Sequence, residues 1–228
     1  MTDSRGFRDY LTELLVVFIG VALAFAVENW REERNERSVE REYLSGFRHD
    51  LEADLQMLNQ QEAIRRQQLA DALLALEFFD GRELDTQVFF EAYFGVLPEF
   101  HTVPNRNTMD EVLNSGSLRL ISDPGTRGRL LDLYNTYGRI ADTEEHMARD
   151  FDEYLYDTTF NTVPLQILGP WPDTPDNRDA AGTLLDNLTI ANGLRLLVAN
   201  LQYETGLLEE FATARMQVDD LLTRLPGQ

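Results

Sequence analysis

Two groups of carboxylates and histidines have the spacing of a metal site carried on a helix. Asp142, His146 and Asp150 follow one another at intervals of four residues, so a helix would place their oxygen and nitrogen ligands on one face. A weaker group of the same kind comprises His49, Asp50 and Asp54. In a chain with 40 acidic residues such groups arise by chance, and a ferritin-like site would need Glu where Thr143 stands. We therefore expect solvated side chains or structural hydrogen bonds at both places, and no metal site.

Residue types that the chain lacks exclude several other chemistries. All 20 basic residues are Arg, which excludes a P-loop and a Schiff-base lysine. The absence of Cys excludes disulfides, thiolate metal sites and thiol nucleophiles. The sequence also has no zincin motif and no nucleophile elbow. We assign no catalytic or cofactor-binding residue and expect neither an enzyme nor a bound cofactor.

The charge of the chain limits its partners. The 40 acidic and 20 basic residues give a net charge of −20 at pH 7, the opposite of the basic patch that nucleic-acid binding needs. We expect no nucleic-acid partner, and we expect the domain to be repelled by anionic lipid headgroups. Hydrophobic residues make up 43% of the chain, which is typical of a globular protein and excludes wholesale disorder.

The longest apolar segment lies near the N-terminus. Residues 14–27 (LLVVFIGVALAFAV) contain no charge. With its flanks the segment runs from Tyr10 to Trp30, about 31 Å as a helix, and it places an aromatic side chain at each membrane–water interface. We predict a single transmembrane helix at 10–30, preceded by a tail at 1–9 and followed by a helical bundle domain at 31–228.

Two other interpretations of this segment stay open. A cleaved signal peptide would use Arg5 and Arg8 as its charged region and residues 24–26 (Ala-Phe-Ala) as its cleavage site, although that site lies inside the apolar run. A buried core helix would need a larger core than the remaining chain offers.

The orientation of the membrane helix depends on how the flanking Arg are weighed. Two Arg precede the segment and four follow it by position 41, and this count alone favours a cytoplasmic domain. Glu residues alternate with those four Arg, however, and large domains translocate with little regard to such charges. We predict that the main domain crosses the membrane. With the bacterial family that the chain resembles, described below, this implies insertion in the cell inner membrane with the main domain in the periplasm.

From Trp30 to about Phe79 the sequence has the pattern of one continuous helix. This range has no Pro, and Gly46 is its only Gly. Apolar residues recur mostly three or four apart over 39–58 and again over 69–76, a helical stripe with a near-hendecad period. We expect the membrane helix to continue directly into this stalk.

Capping and turn residues divide the middle of the chain. Asp85 should cap a short helix through Leu97, and the aromatic cluster Phe89–Phe94 on it should be core or, less expected, a ligand pocket. Thr108 and Glu111 should form a capping box for a helix that ends at Gly116. We expect residues 118–121 to be an extended link, after which Asp123 and Pro124 begin a long helix through Leu155.

The C-terminal third combines a Pro-rich segment with a heptad pattern. Residues 161–182 hold four Pro and Trp171, and we expect a long irregular loop. A final helix should run from Thr183 to Leu225, with Glu204 and Arg215 as polar exceptions in an apolar seam. Because no region alternates with period two for long, the predicted fold is all-α: an N-terminal transmembrane helix that continues into an antiparallel bundle of long helices.

Two segments within roughly the first 140 residues are familiar, ELLVVFIGVALAFAVENWREER and NTMDEVLNSGSLRLISDPGTRGRLLDLYNTYGRI. In these segments the chain resembles an uncharacterised family, a domain of unknown function, of bacterial single-pass membrane proteins. The matching residues are Asn29, Trp30, Leu113, Ser115, Gly116, Leu118, Leu120, Ile121, Leu130 and Tyr134. The resemblance implies a membrane helix followed by a helical domain in the periplasm, with no assigned activity. Family members often have a strongly basic N-terminal tail, whereas this chain has only Arg5 and Arg8 there.

We expect a membrane-anchored helical protein that acts as a scaffold or protein-interaction module. Its partners would be the lipid bilayer and either a membrane protein or a second copy, since Gly20 and Ala24 could let two membrane helices approach closely. Two alternatives stay open. One is an extracytoplasmic ligand sensor with its pocket under Phe89–Phe94 and the Trp171 loop, and the other is a carboxylate/His metal-dependent enzyme.

Overall fold

The computed structural model describes residues 7–97, 101–164, 169–202 and 206–226. Over these residues the protein is helical and has no β-strand, which confirms the all-α prediction. The α-helices are α1 (Phe7–Phe79), α2 (Thr86–Gly95), α3 (Asn107–Asn114), α4 (Pro124–Phe151), α5 (Asp157–Thr162), α6 (Pro175–Leu185), α7 (Leu188–Gln202) and α8 (Leu207–Arg224). A 3₁₀ helix (Ser117–Leu120) precedes α4, and a π-helical turn (Asp152–Tyr156) joins α4 to α5.

The predicted apolar segment and the core of the domain belong to one 73-residue helix, α1. Every residue from 10 to 35 is exposed, and the first buried residue is Phe47. Within the described residues, α1 is the one helix long and apolar enough to cross a membrane. Its two halves therefore differ in surroundings although its backbone is continuous.

The domain is a bundle of four legs built around the second half of α1. The second leg, α2 and α3, runs back along α1, and the third, α4 with α5, runs parallel to it. The fourth leg, α7 and α8, runs back again. Two hydrogen-bonded pairs give the direction of each leg. For the second leg they are Gln68 with Val96 and Asp50 with Thr108, and for the third Glu40 with Ser122 and Arg65 with Glu144. For the fourth leg they are Asp80 with Arg195 and Arg48 with Leu222.

The last leg is not the single helix predicted over Thr183–Leu225. Helix α6 ends at Leu185, and Asn187 starts α7 because its side-chain oxygen accepts from the backbone N–H groups of Thr189 and Ile190. Gly206 then precedes α8. The heptad pattern continues across the break because α7 and α8 run in the same direction, and Glu204 lies outside the described residues.

Two local predictions around α3 and α4 are wrong. Thr108 does not cap α3 with a capping box, because α3 begins at Asn107 and Thr108 lies inside its first turn, where its backbone N–H donates to Asp50 on α1 at 3.0 Å. Residues 118–121 are not extended, since Ser117–Leu120 forms a 3₁₀ helix. Gly116 does end the helical segment as predicted, with a positive φ of 66°.

The caps of α2 and α4 agree with the predictions. Asp85 accepts from the N–H of Val88, although α2 ends at Gly95 rather than Leu97. Asp123 caps α4, with Pro124 in its first turn.

The Pro-rich segment is shorter than predicted. Helix α5 continues to Thr162, and α6 begins at Pro175 with Thr174 as its cap. Among the described residues of the predicted loop, the irregular ones are therefore 163–164 and 169–174, because Pro175 is tolerated in the first turn of α6.

Candidate functional site

A buried polar seam runs along the core-facing side of α1, and part of it fills the gap of the apolar stripe between Leu58 and Leu69. We define the polar seam as Asp50, Asp54, Glu62, Arg65 and Gln68, all of which are buried. They follow one another at three, four or eight residues, so they continue the core-facing side of α1 with polar side chains. Burying such groups is costly unless each finds a partner.

The centre of the polar seam is an ion pair between two legs. Arg65 on α1 donates to Glu144 on α4 at 2.9 Å, and the two side chains are only 6% and 4% exposed. The hydroxyl and backbone N–H of Thr102 also donate to Glu144, at 2.8 and 2.7 Å. Arg65 donates in addition to Gln68, whose amide donates to the carbonyl of Val96. One carboxylate thus fixes Thr102, which precedes α3, against α1 and α4.

Asp50 of the polar seam caps α3 from a neighbouring helix. Asp50 accepts from the N–H of Thr108, in the first turn of α3. A Cβ at Gly46, one turn earlier on α1, would lie 2.8 Å from the hydroxyl oxygen of Thr108. Gly46 therefore allows α1 and α3 to approach closely enough for Asp50 to reach the helix start.

Asp54 joins the loop before α3 to the third leg. It accepts from the backbone N–H of Asn105 at 2.7 Å and from the hydroxyl of Tyr137 at 2.9 Å. Burial is the main cause that raises the pKa of Asp54, opposed by these hydrogen bonds. Burial and the nearby Asp54 likewise raise the pKa of Tyr137.

We expect Asp54→Asn to remove one component of the pH dependence of stability. Because the pKa of Asp54 is raised in the folded state, protonation of Asp54 stabilises the folded protein. This contribution is complete below the unfolded pKa of about 3.9 and is lost as pH rises through the raised folded pKa. Relative to Asp54→Asn, the wild type should therefore lose stability as pH increases from about 4 to 7. The check is urea unfolding of both proteins at a series of pH values, and an unchanged difference between them would contradict the assignment.

The fourth leg meets the polar seam at Glu62. Its two carboxylate oxygens accept from Arg66 at 2.7 Å and from Arg215 on α8 at 2.9 Å. Arg215, which was predicted as a polar exception in the heptad seam, therefore forms an ion pair with Glu62 between α8 and α1. Taken together, the polar seam holds all four legs in register, and its carboxylate contacts are to the chain's own donors.

The aromatic cluster considered as a ligand pocket is filled by the protein itself. The ring of Trp171 packs on Phe94 with 5.2 Å between ring centroids and on Phe90 with 5.9 Å. The loop that carries it is attached to α2, because the N–H of Trp171 donates to Gln87 and its carbonyl accepts from Thr86. Core packing explains this cluster.

Replacing Trp171 by Ala should open the space that its ring occupies. We expect a loss of about 3 kcal/mol in the free energy of unfolding, the low end for large aromatic side chains, because Trp171 is only partly buried. Thermal and urea unfolding measure the loss, and Trp171→Phe should recover most of it. An alanine variant as stable as the wild type would show that the loop does not support the core.

The residues first considered as metal ligands do not form a site. His146 is exposed, and its ring lies 3.7 Å from Asp150 and 3.4 Å from Arg149. Asp50 and Asp54 are buried as part of the polar seam, whereas His49 is exposed. No group of three or more His, Asp or Glu in the described part of the chain is arranged to hold a metal ion.

Sequence reasoning missed the polar seam, although the sequence contains a signal for it. The apolar stripe on α1 is interrupted over the ten residues between Leu58 and Leu69, and Glu62 and Arg65 occupy core-facing positions in that gap. A charged residue at a core position in an uninterrupted helix indicates a buried ion pair, but its partner Glu144 cannot be chosen from the sequence.

Comparison with known proteins adds no relative. No protein-family model, curated protein or solved structure matches the chain. The roles of its residues therefore come from its own geometry.

Proposed function

We propose that the protein is a single-pass membrane protein of the inner membrane whose helical domain serves as a scaffold or protein-interaction module. The observation that carries this proposal is the continuity of α1. Its N-terminal part is exposed and apolar, and its C-terminal part, from Phe47, is packed in the domain core.

The exposed part of α1 has the dimensions of a membrane span. Tyr10 to Trp30 extends for about 31 Å, close to the roughly 30 Å of a bilayer's hydrocarbon core. Its large apolar side chains are exposed, including Phe18, Leu23 and Phe25. Bilayer lipid would cover these side chains, which no described element of the domain covers.

The same helix would hold the domain at a defined height. The N–H of Ser122 donates to Glu40 at 2.6 Å. Glu40 lies about 15 Å along the helix from Trp30. Between these points the stalk is a charged helix with an i, i+4 pair between Glu33 and Arg37. From Glu40 to Phe79 the other helices of the domain pack on α1 through the polar seam and the core. The orientation of the domain would therefore follow that of the membrane helix.

For orientation we propose a cytoplasmic N-terminus and a periplasmic domain. The four Arg that follow the segment by position 41 alternate with Glu32, Glu33, Glu36 and Glu40, so the stalk carries no net positive charge to retain it in the cytoplasm. A C-terminal alkaline phosphatase fusion should be active, and a C-terminal green fluorescent protein fusion exported by the general secretion route should be dark. The opposite pair of results would place the domain in the cytoplasm.

The scaffold proposal is tested by affinity purification of the full-length protein from native membranes in mild detergent. We expect a stoichiometric protein partner or a homo-oligomer, with the protein resisting extraction by alkaline carbonate. A monodisperse monomer that carries no partner would contradict the scaffold proposal, and release by carbonate would contradict the membrane span.

A further inference from the structure

The arginines of this acidic protein divide by position into two classes. Most of those with a described side chain lie within 4.0 Å of a carboxylate. Within the described residues the exceptions are Arg31, Arg34, Arg41, Arg119 and Arg127. With two carboxylates for each Arg in the chain, guanidinium groups outside ion pairs are unexpected and need an explanation.

All these exceptions lie at the end of the domain next to the apolar segment. Arg31, Arg34 and Arg41 occupy the first turns of α1 after Trp30. Arg119 belongs to the 3₁₀ helix, whose following Ser122 contacts Glu40 on the stalk. Arg127 donates to the carbonyl of Ile121, beside the same contact.

The opposite end of the domain is acidic. Asp80, Glu83 and Asp85 follow the end of α1. Asp173 precedes α6, which packs against α2, and Asp176 and Asp179 lie in its first two turns. Arg195 and Arg178 pair with Asp80 and Asp173. The repulsion from anionic headgroups expected from the charge of −20 therefore acts most strongly on the end that points away from the bilayer. Over residues 31–41 the near end is close to neutral, because four Arg alternate with four Glu, and Arg31 and Arg34 lie outside the ion pair described there.

Trp30 and Arg34 form a pair suited to the membrane surface. The guanidinium of Arg34 lies 5.5 Å from the centre of the Trp30 ring, and Trp30 is 60% exposed. Arg34 thus points back along α1 toward the apolar segment, at the depth where an interfacial Trp lies. Arg31 is about 1.5 Å beyond Trp30 along the helix, so both guanidinium groups reach the layer of lipid phosphates.

We propose that Arg31 and Arg34, beside Trp30, bind the phosphate groups of anionic phospholipids, and that Arg41, Arg119 and Arg127 add a weaker long-range attraction. This inference rests on the proposed membrane span. Guanidinium groups bind phosphate oxygens through paired N–H donors, and Arg41 lies about 16 Å from Trp30, beyond one Debye length at physiological salt. Lipid phosphates would act as the anionic partners of these guanidinium groups, which form no ion pair with a described carboxylate.

The test uses the full-length protein in phosphatidylcholine bilayers containing phosphatidylglycerol. Electron paramagnetic resonance of spin-labelled lipids measures how strongly each lipid associates with the protein. We expect spin-labelled phosphatidylglycerol to associate at least about threefold more strongly than spin-labelled phosphatidylcholine, a conservative value for two Arg near an anionic surface. Arg31→Gln with Arg34→Gln should reduce this ratio to about one.

The matched control replaces two Arg at the far end of the domain, Arg149→Gln with Arg178→Gln, and should keep the wild-type ratio. Equal association of both lipids with the wild type, or the same ratio in the Arg31/Arg34 variant, would overturn the proposal. Loss of the preference on adding inorganic phosphate at constant ionic strength would also overturn it, since it would show a site for the free anion. Failure of the membrane span is a separate result, because the protein would then not float with the vesicles after carbonate treatment.

Discussion

Glu144→Ala should lower the free energy of unfolding by about 3–5 kcal/mol, the range for breaking a buried ion pair from one side. The substitution leaves the Arg65 cation in the core without the carboxylate that neutralises it. It also removes the acceptor for both donors of Thr102. The measurement is urea unfolding of the full-length protein in mild detergent, followed by circular dichroism.

The neighbouring Glu145 offers a matched control. Its side chain is 72% exposed and pairs with Arg149 on the surface, so Glu145→Ala should change the free energy of unfolding by about 0.5 kcal/mol or less. Replacing both buried partners, Arg65→Met with Glu144→Leu, should recover much of the lost stability, because two apolar side chains leave no buried charge. If Glu144→Ala behaved like Glu145→Ala, the polar seam would not hold the legs together.

Arg at two central positions of the apolar segment should prevent membrane insertion. In Ile19→Arg with Leu23→Arg both substitutions lie near the middle of the predicted span and on one face of α1. Each Arg costs about 2.5–3.5 kcal/mol at the centre of an inserted helix, so the pair costs about 5–7 kcal/mol.

The expected result is a protein that alkaline carbonate extracts from membranes, whereas Ile19→Val with Leu23→Val should stay membrane-bound like the wild type. The domain core begins at Phe47 and does not contact positions 19 and 23. The Arg variant should therefore keep the unfolding transition of the domain. Membrane retention of the Arg variant would contradict a span at 10–30.

Local signals in the sequence predicted much of the fold. The helical stripe predicted α1, and Asp85, Asp123 and Gly116 marked helix ends correctly, because each acts on backbone groups within a few residues. The cap of α3 was predicted wrongly, since it comes from Asp50, more than fifty residues away in sequence. The same limit applies to Arg65 and Glu144, which are 79 residues apart.

The heptad pattern after Thr183 shows a second limit. The pattern reports which side of the chain faces the core, and it continues from α7 to α8 because both run in one direction along the bundle. It does not report whether the backbone between them stays helical. Asn187 and Gly206, which precede the two helices, were the residues that carried this information.

The central claim is that one unbroken helix links the membrane segment to the domain core. It is tested most directly by a distance between spin labels at Phe25→Cys and Gln60→Cys, measured by double electron–electron resonance in lipid nanodiscs. The chain has no native Cys, and both positions are exposed, so labelling is specific. A continuous helix predicts about 52 Å between the two backbone positions and a single narrow distance distribution. A shorter or broad distribution would show that the stalk bends or unfolds between membrane and domain, and would contradict the account.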